Sequence, residues 1–304
     1  MKKNFLDTSL GVFLAAIFCN LLWGSASPCI KLGYELFSID SGDVMGQILF
    51  AGLRFALAGI LIIAFESLSK GTLITPPPGS GKPIIILAFA QTIIQYTFFY
   101  MGLSKAAAFK GSVISPANVF FAILFSSLVL RMEKLTIQKA IGCIIGFAGV
   151  ILINLGKANA NGFRLDGEGF LLIAAASYGF SSVLIKLFSQ KVSPILLSSY
   201  QFLIGGFIMM FAALCLGGQL PVISPAGVAL LLYLAFVSAV AYTIWSLLLQ
   251  RHHVSHITIY CFTNPVFGVL LSSVLLGEGH LLDPLQCIAS LALVGLGILI
   301  VNRR

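Results

Sequence analysis

Trp23-Gly24-Ser25-Ala26-Ser27-Pro28-Cys29-Ile30-Lys31 is a stretch that the chain states twice. Its second copy is Tyr178-Gly179-Phe180-Ser181-Ser182-Val183-Leu184-Ile185-Lys186. An aromatic–Gly step and an Ile–Lys–Leu step recur at the same separation, about half a chain apart, and each copy sits near the end of a long apolar run. In so hydrophobic a chain, a repeat of this kind marks two homologous membrane bundles packed as one unit.

Composition points the same way. Of 304 residues, 59% are hydrophobic and 9% charged, against roughly 25% charged in soluble domains. A water-soluble enzyme would lack the polar residues to cover its surface. The net charge of +8 comes from short connections, so it reports membrane topology rather than a nucleic-acid partner. Cys19, Cys29, Cys143, Cys215, Cys261 and Cys287 all lie in apolar runs without metal-type spacing and read as buried small hydrophobes. Lys2, Lys3, the apolar run Leu10–Leu22 and Ser25-Ala26-Ser27 resemble a cleavable leader. Pro28 directly after the cleavage point and the internal copy of the segment argue for a retained helix instead.

A hydrocarbon core of about 30 Å needs roughly 20 apolar residues at 1.5 Å per residue. Ten stretches qualify, at about 11–34, 44–66, 83–103, 110–130, 137–155, 167–188, 194–216, 226–249, 256–277 and 284–301. Helices are expected, because an isolated strand would leave its backbone unpaired in lipid. Turn signals such as Pro76-Pro77-Pro78-Gly79 and Gly217-Gly218-Gln219-Leu220-Pro221 separate the stretches. With the N-terminus in the cytoplasm, Lys2, Lys3, Lys70, Lys82, Arg131, Lys134, Lys139, Lys186, Lys191, Arg251, Arg303 and Arg304 fall inside, whereas Lys105, Lys110, Lys157 and Arg164 fall outside. That bias places both termini in the cytoplasm.

Five spans per half is an odd number, so the second half must enter the membrane upside down. The expectation is an all-α polytopic membrane protein whose ten transmembrane helices form two inverted five-helix repeats, residues 1–155 and 156–304. Further registers agree within a few residues. Arg54-Phe55 matches Gln201-Phe202, Gly59 matches Gly206, Tyr96-Thr97 matches Tyr242-Thr243, Lys105 matches Arg251 and Glu133 matches Glu278.

Trp23-Gly24, Arg54-Phe55, Tyr96, Asn264-Pro265, and Gly277-Glu278 before a glycine-bearing last span together resemble the drug/metabolite transporter superfamily, EamA type, over residues 10 to 302. The first half departs from the pattern. Met132-Glu133 stands where the second half has Gly277-Glu278, and Phe120 stands opposite Pro265, with Pro116 about one turn earlier. The resemblance implies a ten-helix inner-membrane carrier with a central cavity lined mainly by spans 1, 3, 4, 6, 8 and 9. The substrates it implies are amino acids and other metabolites, nucleotide sugars or drugs, commonly exported.

Arg54 lies about 15 Å into span 2, where a charge costs at least about 2.5–3.5 kcal/mol and should face protein or water. Two readings stand: a clamp for a substrate carboxylate or phosphate, or a strut bound to helix carbonyls and polar neighbours. Lys31 and Lys186 read as snorkelling repeat partners, with a cavity-facing Lys31 as the other option. Pro28, Pro116 and Pro265 are candidate helix breaks or gates, because interrupted helices point to a transporter's binding site. Ser115 and Asn118 stand beside one of them, Thr263 and Asn264 beside another; they hold a substrate or satisfy freed backbone. Trp23, Tyr96, Tyr178, Tyr242 and Trp245 lie away from the membrane ends, and Asn20, Gln91, Gln95 and Gln201 need partners in lipid. The substrate-binding candidates are Trp23, Arg54, Tyr96, Asn118, Tyr178, Tyr242 and Asn264.

The acids (Asp7, Glu35, Asp40, Asp43, Glu66, Glu133, Asp166, Glu168, Glu278 and Asp283) and His252, His253, His256 and His280 are peripheral. Exchange or facilitated transport therefore stands beside proton coupling, and Glu133 and Glu278 read as helix caps or ion-pair partners. Gly142-x-x-x-Gly146 fits packing within the chain or a dimer face, which leaves a homodimer open. The function expected is a secondary carrier for a small metabolite, an amino acid or related amphipathic solute, exported across the cytoplasmic membrane by alternating access. A channel or lipid-flipping protein is the alternative, although charged constriction rings are missing. An intramembrane hydrolase would need a base beside Ser181, and no buried histidine supplies one. The partners expected are a small-molecule substrate and the lipid bilayer; no cofactor is expected.

Overall fold

The computed structural model describes residues 5–132, 134–154, 163–220, 222–252, 257, 259–281 and 283–302. Lys2, Lys3, Glu133, Lys157, Pro221, His253, His256, Arg303 and Arg304 lie outside the described residues, as does the expected junction at 155–156.

Every regular element among the described residues is helical. Eight are long and apolar enough to cross a membrane: α1 (Ser9–Phe37), α2 (Val44–Lys70), α3 (Gly81–Lys105), α4 (Ala108–Val129), α6 (Leu165–Phe188), α7 (Pro194–Cys215), α8 (Pro225–Arg251) and α10 (Pro284–Val301, continuing to Asn302). The shorter apolar helices α5 (Ile137–Asn154) and α9 (Thr263–Leu275) complete the ten. The chain is thus a multi-pass membrane protein. Local chemistry sets several ends. Thr8, Asp43 and Ser224 each accept a hydrogen bond from a first-turn N–H, which satisfies a donor the helix cannot. Gly71, in the left-handed region at φ 66°, closes α2.

The outer surface is apolar like the core, and several polar side chains lie inside it. Phe65, Leu68, Ile144, Phe211 and Leu285 point outward, while Asn20, Gln47, Arg54, Gln91, Gln95 and Gln201 are buried. Lipid solvates the first set at no cost, and the second must find partners within the bundle. Cys215 corrects the expectation of six buried cysteines, since it is exposed at the end of α7.

Small residues fix how the helices cross. α2 lies against α7, where a Cβ on Gly59 would stand 2.6 Å from the Leu203 nitrogen and one on Gly52 2.9 Å from the Gly206 carbonyl. α5 lies against α10 in the same way: a Cβ on Gly142 would meet the Gly297 carbonyl at 2.6 Å. The Gly142-x-x-x-Gly146 stripe is therefore covered within the chain, by Gly297 on one side and the Phe120 ring on the other. The remaining helices exchange between halves. Gly24 of α1 packs on Asn264, Phe267 and Gly268 of α9, while its counterpart Gly179 of α6 packs on Asn118, Phe121 and Ala122 of α4.

Two proline expectations are corrected. Pro28 does not interrupt α1, which runs unbroken from Ser9 to Phe37; the carbonyl that it leaves without an N–H partner is that of Gly24. Pro265 sits in the first turn of α9, after the 3-10 segment Ile259–Phe262. A first-turn N–H has no intrahelical acceptor, so this proline starts a helix rather than kinking one. Pro116 does mark a break: α4 divides into Ala108–Ile114 and Ala117–Leu124 around Ser115-Pro116.

Candidate functional site

A cavity of about 80 Å³ lies at the centre of the bundle. At roughly 10–15 Å³ per water on this measure, it has room for several waters. Trp23, Arg54, Tyr96, Asn118, Tyr178, Tyr242 and Asn264, drawn from α1, α2, α3, α4, α6, α8 and α9, all line it, and so does Pro116. Pro28 and Pro265 do not. Ser27, Gln95, Phe99, Leu171, Ala174, Ala175 and Cys261 are further wall residues. Leu171, Ala174, Ala175 and Tyr178 share one face of α6 at spacings of three and four. That periodicity, read outward from Tyr178, is the signal that would have found the smaller ones.

The repeat partners meet across this cavity. Trp23 stands edge-on to Tyr178 with ring centroids 6.1 Å apart, and to Tyr242 at 5.2 Å. The hydroxyls of Tyr96 and Tyr242 hydrogen-bond to each other, and Gln95 Nε2 donates to the Tyr242 hydroxyl over 3.4 Å. Edge-to-face geometry is how aromatic quadrupoles prefer to pack, so the wall is stiff as well as apolar. Trp23 Nε1, Gln95 Oε1, Tyr178 Oη and Asn264 Oδ1 are buried polar atoms without a hydrogen-bond partner among the described residues. Each costs about 1–3 kcal/mol while unsatisfied, which a polar solute in the cavity could offset.

Arg54 is 1% exposed, and its fork is divided. Nε donates to the Leu234 carbonyl at 3.1 Å and to Ser238 Oγ at 3.0 Å, both on α8, while Nη1 donates to Tyr100 Oη at 3.0 Å. The guanidinium lies 5.1 Å from the Phe55 ring centre and 6.0 Å from that of Tyr96, within cation–π range. Among the described residues no carboxylate pairs with it, and it is the single charged side chain in the cavity wall. The strut contacts are therefore present, and a cation without a counter-anion faces the same cavity.

The other charges sit at the bundle's ends. Lys31 does not reach the central cavity; its Nζ lies 3.7 Å from Glu278 Oε1. Lys186 donates to the carbonyls of Leu249, Gln250 and His252, capping the C-terminus of α8 as cations do, so simple snorkelling describes neither lysine. Glu278 also accepts from the N–H groups of Ala108 and Phe109 and from Ser272. Lys110, read from sequence as an external connection charge, is 3% exposed and bonded to Glu168 at 2.6 Å.

The sequence profile described as the EamA-like transporter family matches residues 9–155 and 165–303. A chloroplast WAT1-related protein of Arabidopsis thaliana is 26% identical over 92% of this chain, which spans 65% of that relative's length. The uncharacterized inner membrane transporter YedA of Escherichia coli K12 is 28% identical, covering 88% of this chain and 84% of its own. The uncharacterized transporter YvbV of Bacillus subtilis is 27% identical over 99% and 94%. One solved crystal structure, 18% identical, superposes with a TM-score of 0.69 over 97% of both chains; that likeness concerns the fold.

Proposed function

Since this chain belongs to the EamA-like transporter family, we propose that it is a secondary carrier moving a small carboxylate-bearing metabolite, an amino acid or a related amphipathic solute, out across the cytoplasmic membrane. The observation that carries this reading is Arg54: a buried guanidinium in the cavity wall with no acidic partner among the described residues. A desolvated arginine is stabilised by an anion, and its planar fork suits a carboxylate. The rest of the wall fits the remainder of such a solute. Trp23, Tyr96, Tyr178 and Tyr242 offer apolar faces that also attract an ammonium group, and Gln95 Oε1 and Asn264 Oδ1 are acceptors awaiting donors.

Alternating access follows from two inverted repeats, residues 1–155 and 156–304, rocking about the shared cavity. The exchange of α1 with α9 and of α6 with α4 supports that division. The positive-inside bias supports cytoplasmic termini. The test is saturable counterflow of labelled amino acids and other small carboxylates in proteoliposomes, preceded by a screen for solutes that raise the melting temperature, since a bound ligand stabilises the folded state. Counterflow that saturates and requires a carboxylate is the expected result. Flux that is unsaturable, or indifferent to the carboxylate, would overturn the proposal.

A further inference from the structure

One end of the molecule gathers buried charge from both halves. The first turn of α4 is gripped from two sides by carboxylates of the second half. Glu278 takes the N–H groups of Ala108 at 2.9 Å and Phe109 at 3.2 Å, accepts from Ser272, and lies near Lys31. Glu168 takes Lys110 Nζ at 2.6 Å and the Arg164 N–H at 3.0 Å. Glu168 and Glu278 are only 2% and 8% exposed. At the opposite end, among the described residues, the cross-half ion pair is an exposed one, Arg251 with Asp7 at 3.1 Å with side chains 31% and 46% exposed. Beside it are part-buried hydrogen bonds of Tyr200 to the Ile74 carbonyl, Gln138 to the Ile300 carbonyl and His252 with the Leu6 carbonyl. Exposed ion pairs contribute about 0–1 kcal/mol, whereas parting a buried, hydrogen-bonded pair strands charges that water must then reach. Among the described residues, the Lys110–Glu168 pair, buried between the halves, has no counterpart at the other end.

The gripped segment leads straight to the cavity. Ala108–Ile114 is a seven-residue helical rod, about 10 Å long. The carboxylates hold its first turn, and Ser115-Pro116, where α4 breaks, follows its last residue and lines the cavity. Two of its positions make close contacts: a Cβ on Gly111 would meet Leu103 of α3 at 2.9 Å and Ser27 of α1 at 3.1 Å, and Ser112 seats against Gly268 of α9. Small residues let the rod approach α1 and α9 closely on these sides. Phe109, Val113 and Ile114 are buried on its others, Phe109 and Val113 beside Cys287 and Val269, so a movement of the rod repacks those three side chains.

We propose that Ala108–Ile114 is the gate at this end and that Glu168 and Glu278 are its latch, with the Ser115-Pro116 break transmitting cavity occupancy to it. This rests on the carrier reading. The latch biases which face the cavity opens to, so weakening it shifts that population.

The test labels Ala175→Cys, a cavity-wall position, in an otherwise cysteine-free protein, using a membrane-impermeant maleimide applied to one face of proteoliposomes at a time. Glu168→Gln and, separately, Glu278→Gln are expected to raise labelling by about tenfold from the face carrying residues 106–110, and to lower it from the other face. Unchanged rates from both faces overturn the latch. Rates that rise from both faces overturn it too, because the pairs then hold the fold together rather than one gate. Counterflow by the unsubstituted protein is measured alongside: its absence removes the carrier reading itself, whereas intact counterflow with unmoved labelling removes the latch alone.

Discussion

Arg54 shows how one side chain can be strut and site together. Its Nε and Nη1 tie α2 to α8 and α3, which orients the group before a solute arrives, and preorganised charge needs no rearrangement on binding. Arg54→Lys keeps the charge but cannot reach Ser238, Tyr100 and the cavity at once. Counterflow is expected to fall about tenfold or more, the size of one lost charged hydrogen bond. Arg54→Leu should abolish it, and a fully active Arg54→Leu protein would leave the strut alone. Tyr242→Phe removes the bonds to Tyr96 and Gln95 while keeping the ring. It should weaken apparent affinity for the solute by a factor of about five to ten and lower the melting temperature modestly, because Tyr96 Oη and Gln95 Nε2 each lose a buried partner. The sequence singled out Arg54 because an unpaired charge in a span is costly wherever it lies. It could not choose between strut and clamp, since Leu234 and Ser238 are about 180 residues away.

At the scale of elements, glycines decide which helices touch. Gly59 and Gly206, matched by repeat register, both lie in the α2–α7 crossing, and Gly142 faces Gly297 in the α5–α10 crossing. Gly206→Leu would push a side chain into the backbone of Ala56, an overpacking that costs about 1–3 kcal/mol or more. Its melting temperature in detergent should drop clearly below the parent's. Ile144→Leu, on the lipid-facing side of α5, should leave it unmoved; equal effects would mean that the crossing had been misassigned. Helix positions themselves were legible from hydropathy, because spanning lipid sets both length and composition. The breaks were less so. Proline marks a break only where an N–H is missed, and Pro28, Pro116 and Pro265 occupy an uninterrupted helix, a true break and a first turn respectively.

For the whole molecule, the inverted arrangement predicts that the connection at 68–82 and the one at 278–283 lie on opposite sides of the membrane. Thr72 and Gly279 are exposed in these connections, so cysteines there should label with an impermeant reagent from opposite faces. Labelling from the same face would remove both the inverted repeat and the alternating pocket. The charged ends were where sequence reading fell furthest short. Lys110 and Glu168 looked like ordinary end charges, yet they form a buried pair across 58 positions, and no local pattern encodes such a meeting.

The sequence by itself determined the solvent, the helices and their doubling, because the hydrocarbon thickness fixes span length and a duplicated stretch keeps its register. It also named Trp23, Tyr96, Tyr178 and Tyr242, since aromatic side chains with polar tips are conspicuous at mid-span. Only the tertiary structure decided that these four line one cavity with Arg54, and that Glu168 and Glu278 hold the first turn of α4. Contacts between distant helices depend on rotation and crossing angle, which arise when small residues and buried polar groups from the whole bundle are satisfied together.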